Sequence, residues 1–123
     1  MPHVILIVED DAFVLMLAES ILREVGYETT LANTVTQAQT VIDSPGRVDL
    51  VFTDVQLGED TQGGVTVGKL VGQTRSGTPV LYTSGCSTAE SVHSGSADRS
   101  AFLSKPYTAQ ELTTAVSKLL QSA

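Results

Sequence analysis

The sequence predicts an α/β fold built on a doubly wound parallel sheet, and three observations carry that prediction. The short runs Val4-Ile5-Leu6-Ile7-Val8 and Leu50-Val51-Phe52-Thr53 lack polar alternation, the pattern of strands buried on both faces. Strand signals alternate with helix signals along the whole chain, as βαβ units do. Both apolar runs end in acid, Glu9-Asp10-Asp11 and Asp54, at the edge where such sheets bind their ligands.

Taken in order, Val4 to Val8 is the first strand. A helix follows, with Val14, Leu17, Ala18, Ile21, Leu22 and Val25 as its apolar stripe. Asp10 or Asp11 suits its N-cap, and Gly26 stops it at the C′ position. Tyr27 to Leu31 is a weaker strand. Asn33 or Thr34 opens a short helix through Ala38, Val41 and Ile42, closed by Ser44-Pro45-Gly46. Val48 to Thr53 is the third strand and presents Asp54. A polar loop, Gly58 to Gly64, precedes a helix through Val67, Leu70 and Val71 that fades at Gly72. Pro79 to Thr83 is the fourth strand, leading into Ser84-Gly85. Cys86 to Ser100 holds five serines, so any helix there is short and soft. Ala101-Phe102-Leu103 is a brief strand ending at Ser104-Lys105-Pro106. Thr108 caps a final helix, with Glu111 completing a capping box ahead of Leu112, Ala115, Val116, Leu119 and Leu120.

A length of 123 residues suits one domain with one core, so the reading is a single domain over 1–123. The apolar share is 41 % without a run of membrane-spanning length or a leader pattern, and the expected compartment is the cytoplasm. A single cysteine, Cys86, excludes an internal disulfide, and no Cys/His spacing suggests zinc. A net charge of −7 with seven scattered basic residues argues against direct nucleic-acid binding.

A parallel sheet gathers Glu9, Asp10, Asp54, Ser84 and Lys105 at one edge. In the strand order 2-1-3-4-5 the first and third strands are neighbours, which brings Asp10 towards Asp54. Two carboxylates about 5 Å apart repel by roughly 3 kcal/mol at an effective dielectric near 20. Such a cluster keeps a proton or recruits a cation. With no His or Cys among the donors the suited ion is hard, and Mg2+ typically takes a few carboxylates plus water and phosphate oxygens. Lys105 adds a positive charge for an anion, and Ser84 adds a hydroxyl. The plainer roles are a cap for Asp10 or Asp11, a turn hydroxyl for Ser84, and core packing for Phe102, Tyr82 and Tyr107. Thr83 competes with Ser84, and counting from Pro79 favours Ser84. Cys86, His3 and His93 have no partner in the pattern.

Val8-Glu9-Asp10, Thr53-Asp54, Thr83-Ser84-Gly85 and Phe102-Leu103-Ser104-Lys105-Pro106, in that order on those elements, resemble the receiver domain of two-component response regulators. The resemblance covers the whole chain. It implies a flavodoxin-like (βα)5 sandwich in a cytoplasmic, bacterial phosphorelay protein that acts as a signalling receiver rather than an enzyme. Asp54 would be the phosphoacceptor, receiving its group from a phosphohistidine on a sensor histidine kinase or histidine phosphotransfer protein. Asp10, Asp54 and the backbone carbonyl of Gln56 would hold Mg2+, with Glu9 contributing through water. Lys105, ahead of a cis bond to Pro106, would pair with the phosphoryl group. Ser84 and Phe102 would form the switch, read by a downstream protein on the face of Cys86–Ser100, the Phe102 strand and the last helix.

Three departures from the family pattern stand out, the first being that Gly58 replaces the usual proline in a loop before Gly63-Gly64 that is longer by one or two residues, and another that the serine-rich Cys86–Ser100 disfavours the family's fourth helix. Phe102 also lacks a tyrosine hydroxyl, so its signal rests on ring packing. A haloacid-dehalogenase-type phosphotransferase needs a second Asp where Gln56 stands. A flavodoxin-like cofactor carrier needs a phosphate loop where Glu9-Asp10-Asp11 would repel the ligand. A constitutive interaction module, or a phosphate sink or relay without an output switch, is the alternative to a stand-alone switching receiver.

Overall fold

The computed structural model describes residues 2–85 and 99–121. In chain order these form β1 (Val4–Val8), α1 (Ala12–Glu24), β2 (Glu28–Ala32), α2 (Val35–Asp43), β3 (Leu50–Asp54), α3 (Gly63–Thr74), β4 (Val80–Ser84), β5 (Ser100–Ser104) and α4 (Ala109–Gln121). All strand pairs are parallel and the sheet runs β2-β1-β3-β4-β5. The flavodoxin-like topology expected from the sequence is therefore present. The soft helix anticipated within Cys86–Ser100 falls mostly on residues 86–98, outside the described residues. No described helix is long and apolar enough to cross a membrane.

The strand pleat divides the core into two layers. Leu6, Val8, Val51, Val80 and Tyr82 face α2 and α3 and pack with Ala38, Ile42, Val67 and Val71. Ile5, Ile7, Leu50, Phe52 and Leu81 face the other way and pack with Ala18, Leu22, Leu112 and Val116 of α1 and α4. Every residue of the central strands β3 and β4 is buried, which is why they read as continuous apolar runs.

Helix ends follow local chemistry. The Asp11 carboxylate accepts from the backbone N–H of Phe13 and Val14 at 2.9 and 3.2 Å, making Asp11 the cap of α1. At the other end, Tyr27 N–H donates to the Leu22 carbonyl and Gly26 N–H to that of Arg23, a Schellman closure around Gly26 at φ 101°. Thr34 caps α2. Thr108 and Glu111 exchange the two bonds of a capping box at 2.9 and 3.0 Å before α4.

Two expectations are corrected. The predicted stripe of α1 is rotated: Ala18 and Leu22 are buried and Leu15 packs beside them, but Leu17 and Val25 are 48 % and 55 % exposed. The first turns of α1 are apolar nearly all round, with Phe13 and Met16 also exposed, so periodicity alone admits more than one phase.

The second correction concerns Gly63 and Gly64, which lie in the first turn of α3 rather than in a loop, and α3 runs through Gly72 to Thr74. Gly64 N–H donates to the Val55 carbonyl at 2.8 Å. A Cβ on Gly64 would run into the Asp54 carbonyl oxygen and lie 2.7 Å from the Val55 Cα. A Cβ on Gly68 would strike the buried Tyr82 hydroxyl. These glycines let the helix lie directly on the end of β3, a requirement that overrides their poor helix propensity. Gly64→Ala is accordingly expected to cost about 3 kcal/mol, the upper part of the usual overpacking range, because the obstacle is backbone. A urea midpoint unchanged from wild type would contradict it.

Candidate functional site

The carboxyl ends of β1, β3, β4 and β5 form one edge, and the predicted residues meet there. Glu9, just past β1, is 4 % exposed; Asp54 and Ser84, the last residues of β3 and β4, are 8 % and 7 % exposed. Lys105 follows β5, and its backbone N–H donates to the Ser84 carbonyl at 3.0 Å, tying the lysine to the end of β4. The Lys105 ammonium donates to Glu9 Oε1 and to Asp54 Oδ2, each at 2.9 Å. The Lys105–Pro106 bond is cis. Tyr107 meets Phe52 edge-on at 5.8 Å.

Glu9, Asp10 and Asp54 each bring a carboxylate oxygen within 4.8 Å of the others. Because Asp11 caps α1 and its own N–H donates to Glu9 Oε2 at 3.1 Å, Asp10 is left to turn towards β3. Its Oδ2 accepts from the Gly58 backbone N–H at 3.0 Å. Gln56 is exposed, and its side-chain amide donates to the Gly58 carbonyl over 3.4 Å. The donor set around the cluster is entirely oxygen, which fits a hard divalent cation.

Burial pushes the Glu9 carboxyl above its ordinary value, against the opposing hydrogen bond from Lys105. Burial would lower the Lys105 ammonium, but hydrogen bonds to Glu9 and Asp54 outweigh it and the net direction is up. Burial likewise raises the Tyr107 phenol. A carboxyl raised on folding binds more protons in the folded than in the unfolded state just above its unfolded value. Its contribution to stability therefore declines as pH rises from about 4.5. In metal-free conditions this decline is expected to flatten in Glu9→Gln, read from urea midpoints between pH 4.5 and 8. Equal slopes in the two proteins would remove Glu9 as its source.

Ser84 and Phe102 lie on the α2/α3 side of the pleat, with Phe102 in register with Tyr82 and packed against that core layer. Thr83, the competitor of Ser84, stands in register with Asp54. It is 2 % exposed, and its hydroxyl has no hydrogen-bond partner among the described residues. Sequence reasoning did not anticipate the direct Glu9–Lys105 pair, nor the role of Gly58 as a donor to Asp10. A glycine two residues beyond Gln56 was the one available signal for the latter.

Fold and site together define a parallel α/β sandwich whose strand ends converge an acidic triad and a lysine. The family model of the response regulator receiver domain matches residues 5–117, and the chain belongs to that family. A response regulator receiver protein from Sinorhizobium medicae WSM419 is 31 % identical with a TM-score of 0.87, covering 98 % of this chain and 95 % of that one. A CheY-like receiver domain protein from Methanospirillum hungatei JF-1 is 26 % identical with a TM-score of 0.86, covering 99 % and 96 %. NtrX from Brucella abortus is 27 % identical with a TM-score of 0.84, and there the match spans 99 % of this chain but 27 % of the longer one. No curated protein matches the chain.

Proposed function

We propose that this receiver accepts a phosphoryl group on Asp54 from a phosphohistidine of a sensor kinase or phosphotransfer protein. The observation that carries this reading is Lys105, held 2.9 Å from both Glu9 and Asp54. One oxygen of Asp54 is thereby fixed, and the other is the nucleophile. An Asp54 oxygen forms the new O–P bond as the P–N bond to the donor imidazole breaks, and the imidazole leaves with the electron pair and takes a proton. Lys105 then exchanges a carboxylate for a phosphoryl oxygen, a charge-assisted contact that needs little reorganisation.

Asp10, Asp54 and the Gln56 backbone carbonyl would hold Mg2+, with Glu9 acting through water. When bound, the ion neutralises charge that spreads over the transferring group. Ser84 donates to the product, and Phe102 repacks beside it. This shifts the face that carries β5 and α4 between two populations read by a downstream protein. The setting that suits this chemistry is the cytoplasm, with the chain acting as a signalling receiver rather than an enzyme.

The test is incubation of the protein with Mg2+ and a small phosphodonor, followed by intact mass and peptide mapping. One phosphoryl adduct, at Asp54, is expected. An adduct at another residue, or none, removes the assignment, and labelling undiminished by a chelator refutes the metal.

A further inference from the structure

We infer that Gly58 is a positioning residue for the divalent cation, acting through Asp10. The inference rests on the Mg2+ reading above and extends it to a residue outside the ligand set. Three observations converge on this glycine. Its N–H donates to Asp10 Oδ2 at 3.0 Å, the one side-chain bond linking the β1–α1 loop to the β3–α3 loop among the described residues. Its carbonyl accepts from the side chain of Gln56, whose own backbone carbonyl is the proposed third ligand. Its φ of 62° is left-handed.

That conformation is imposed by a two-residue turn. Leu57 and Asp60 exchange backbone hydrogen bonds of 2.9 and 3.0 Å across Gly58 and Glu59. Gly58 is the central residue with positive φ and Glu59 is not, the sign pattern of a type II′ turn. The turn aims the Gly58 N–H out of the hairpin and at Asp10. One Asp10 oxygen is thus engaged, and the carboxylate retains the other for a cation. A carboxylate oriented in this way before the metal arrives has already lost the rotamer freedom that binding would otherwise remove, which is how outer partners of metal ligands act. Cation binding and the turn at 57–60 are consequently coupled.

The experiment is a Mg2+ titration of the full chain followed by amide proton–nitrogen spectra, with thermal unfolding as a check on the fold. In the wild type the Gly58 resonance is expected to move with the midpoint of the cation titration. Gly58→Val puts a β-branched side chain where φ is 62°, so the turn and the aim of its N–H are lost, and Mg2+ affinity is expected to fall about 10–100-fold. Gly58→Asn tolerates that φ and so keeps the N–H aimed at Asp10, and its affinity is expected to stay within about fivefold of wild type. Wild-type affinity in folded Gly58→Val overturns the inference while leaving the metal site intact. So does a Gly58 resonance indifferent to Mg2+ in the wild type, a measurement that stands even if the valine variant fails to fold. Absence of Mg2+ binding by the wild type overturns both readings.

Discussion

Asp54→Asn is expected to abolish phosphoryl incorporation, leaving under about one hundredth of the wild-type adduct, while the protein stays folded. The loss is chemical: an amide oxygen is a poor nucleophile, whereas the shape of the side chain is retained. Lys105 can still donate to the remaining oxygen and to Glu9 Oε1. Removing one charge also relieves the repulsion that Asp54 exerts on Glu9. Metal-free stability is therefore expected to match or exceed that of wild type, by urea denaturation. Labelling that persists in the variant would move the acceptor elsewhere. A variant that loses both label and stability would instead make Asp54 a structural residue.

Lys105→Met is expected to act on chemistry and stability together. A preorganised donor aimed at developing charge is typically worth about 10²–10³-fold in rate, and phosphorylation should slow by about that factor. The stability effect has a separate origin. Glu9 and Asp54 are nearly buried, and the lysine is the cation that both carboxylates contact. Without it, two carboxylates face each other at a separation where repulsion is about 3 kcal/mol for an effective dielectric near 20. The variant should lose about 1–3 kcal/mol in chelator and recover more than wild type does when Mg2+ is added. With Lys105 gone the Glu9 carboxyl rises further, so stability falls more steeply with pH above about 4.5 than in wild type. An unchanged rate would remove Lys105 from the chemistry, and an unchanged metal-free midpoint would mean that solvent already screens the pair.

Much of this site was legible in the linear pattern because each group sits at a strand end. Asp10, Asp54, Ser84 and Lys105 each follow an apolar run, and a parallel sheet sends all such ends to one edge. The capping box of Thr108 and Glu111 and the cap at Asp11 were legible for a different reason: they satisfy backbone groups within one turn. Such signals survive without knowledge of the rest of the fold.

The misreadings came where distance along the chain separates the partners. Gly63 and Gly64 looked like loop residues because glycine disfavours helix in isolation. Their place in α3 depends on how closely that helix lies against Asp54 and Val55. The phase of α1 was ambiguous because Leu15 and Leu17 are equally apolar, and the sheet selects the former.

The existence and order along the chain of most strands and helices, their caps and the identity of the acidic cluster were written into local patterning, since burial on both faces and capping depend on near neighbours. The bonds of Lys105 to Glu9, 96 residues away, and of Gly58 to Asp10, 48 residues away, were not. Those contacts exist because packing sets the separation between loops to within a fraction of an ångström. At that scale charge and hydrogen bonding choose their partners.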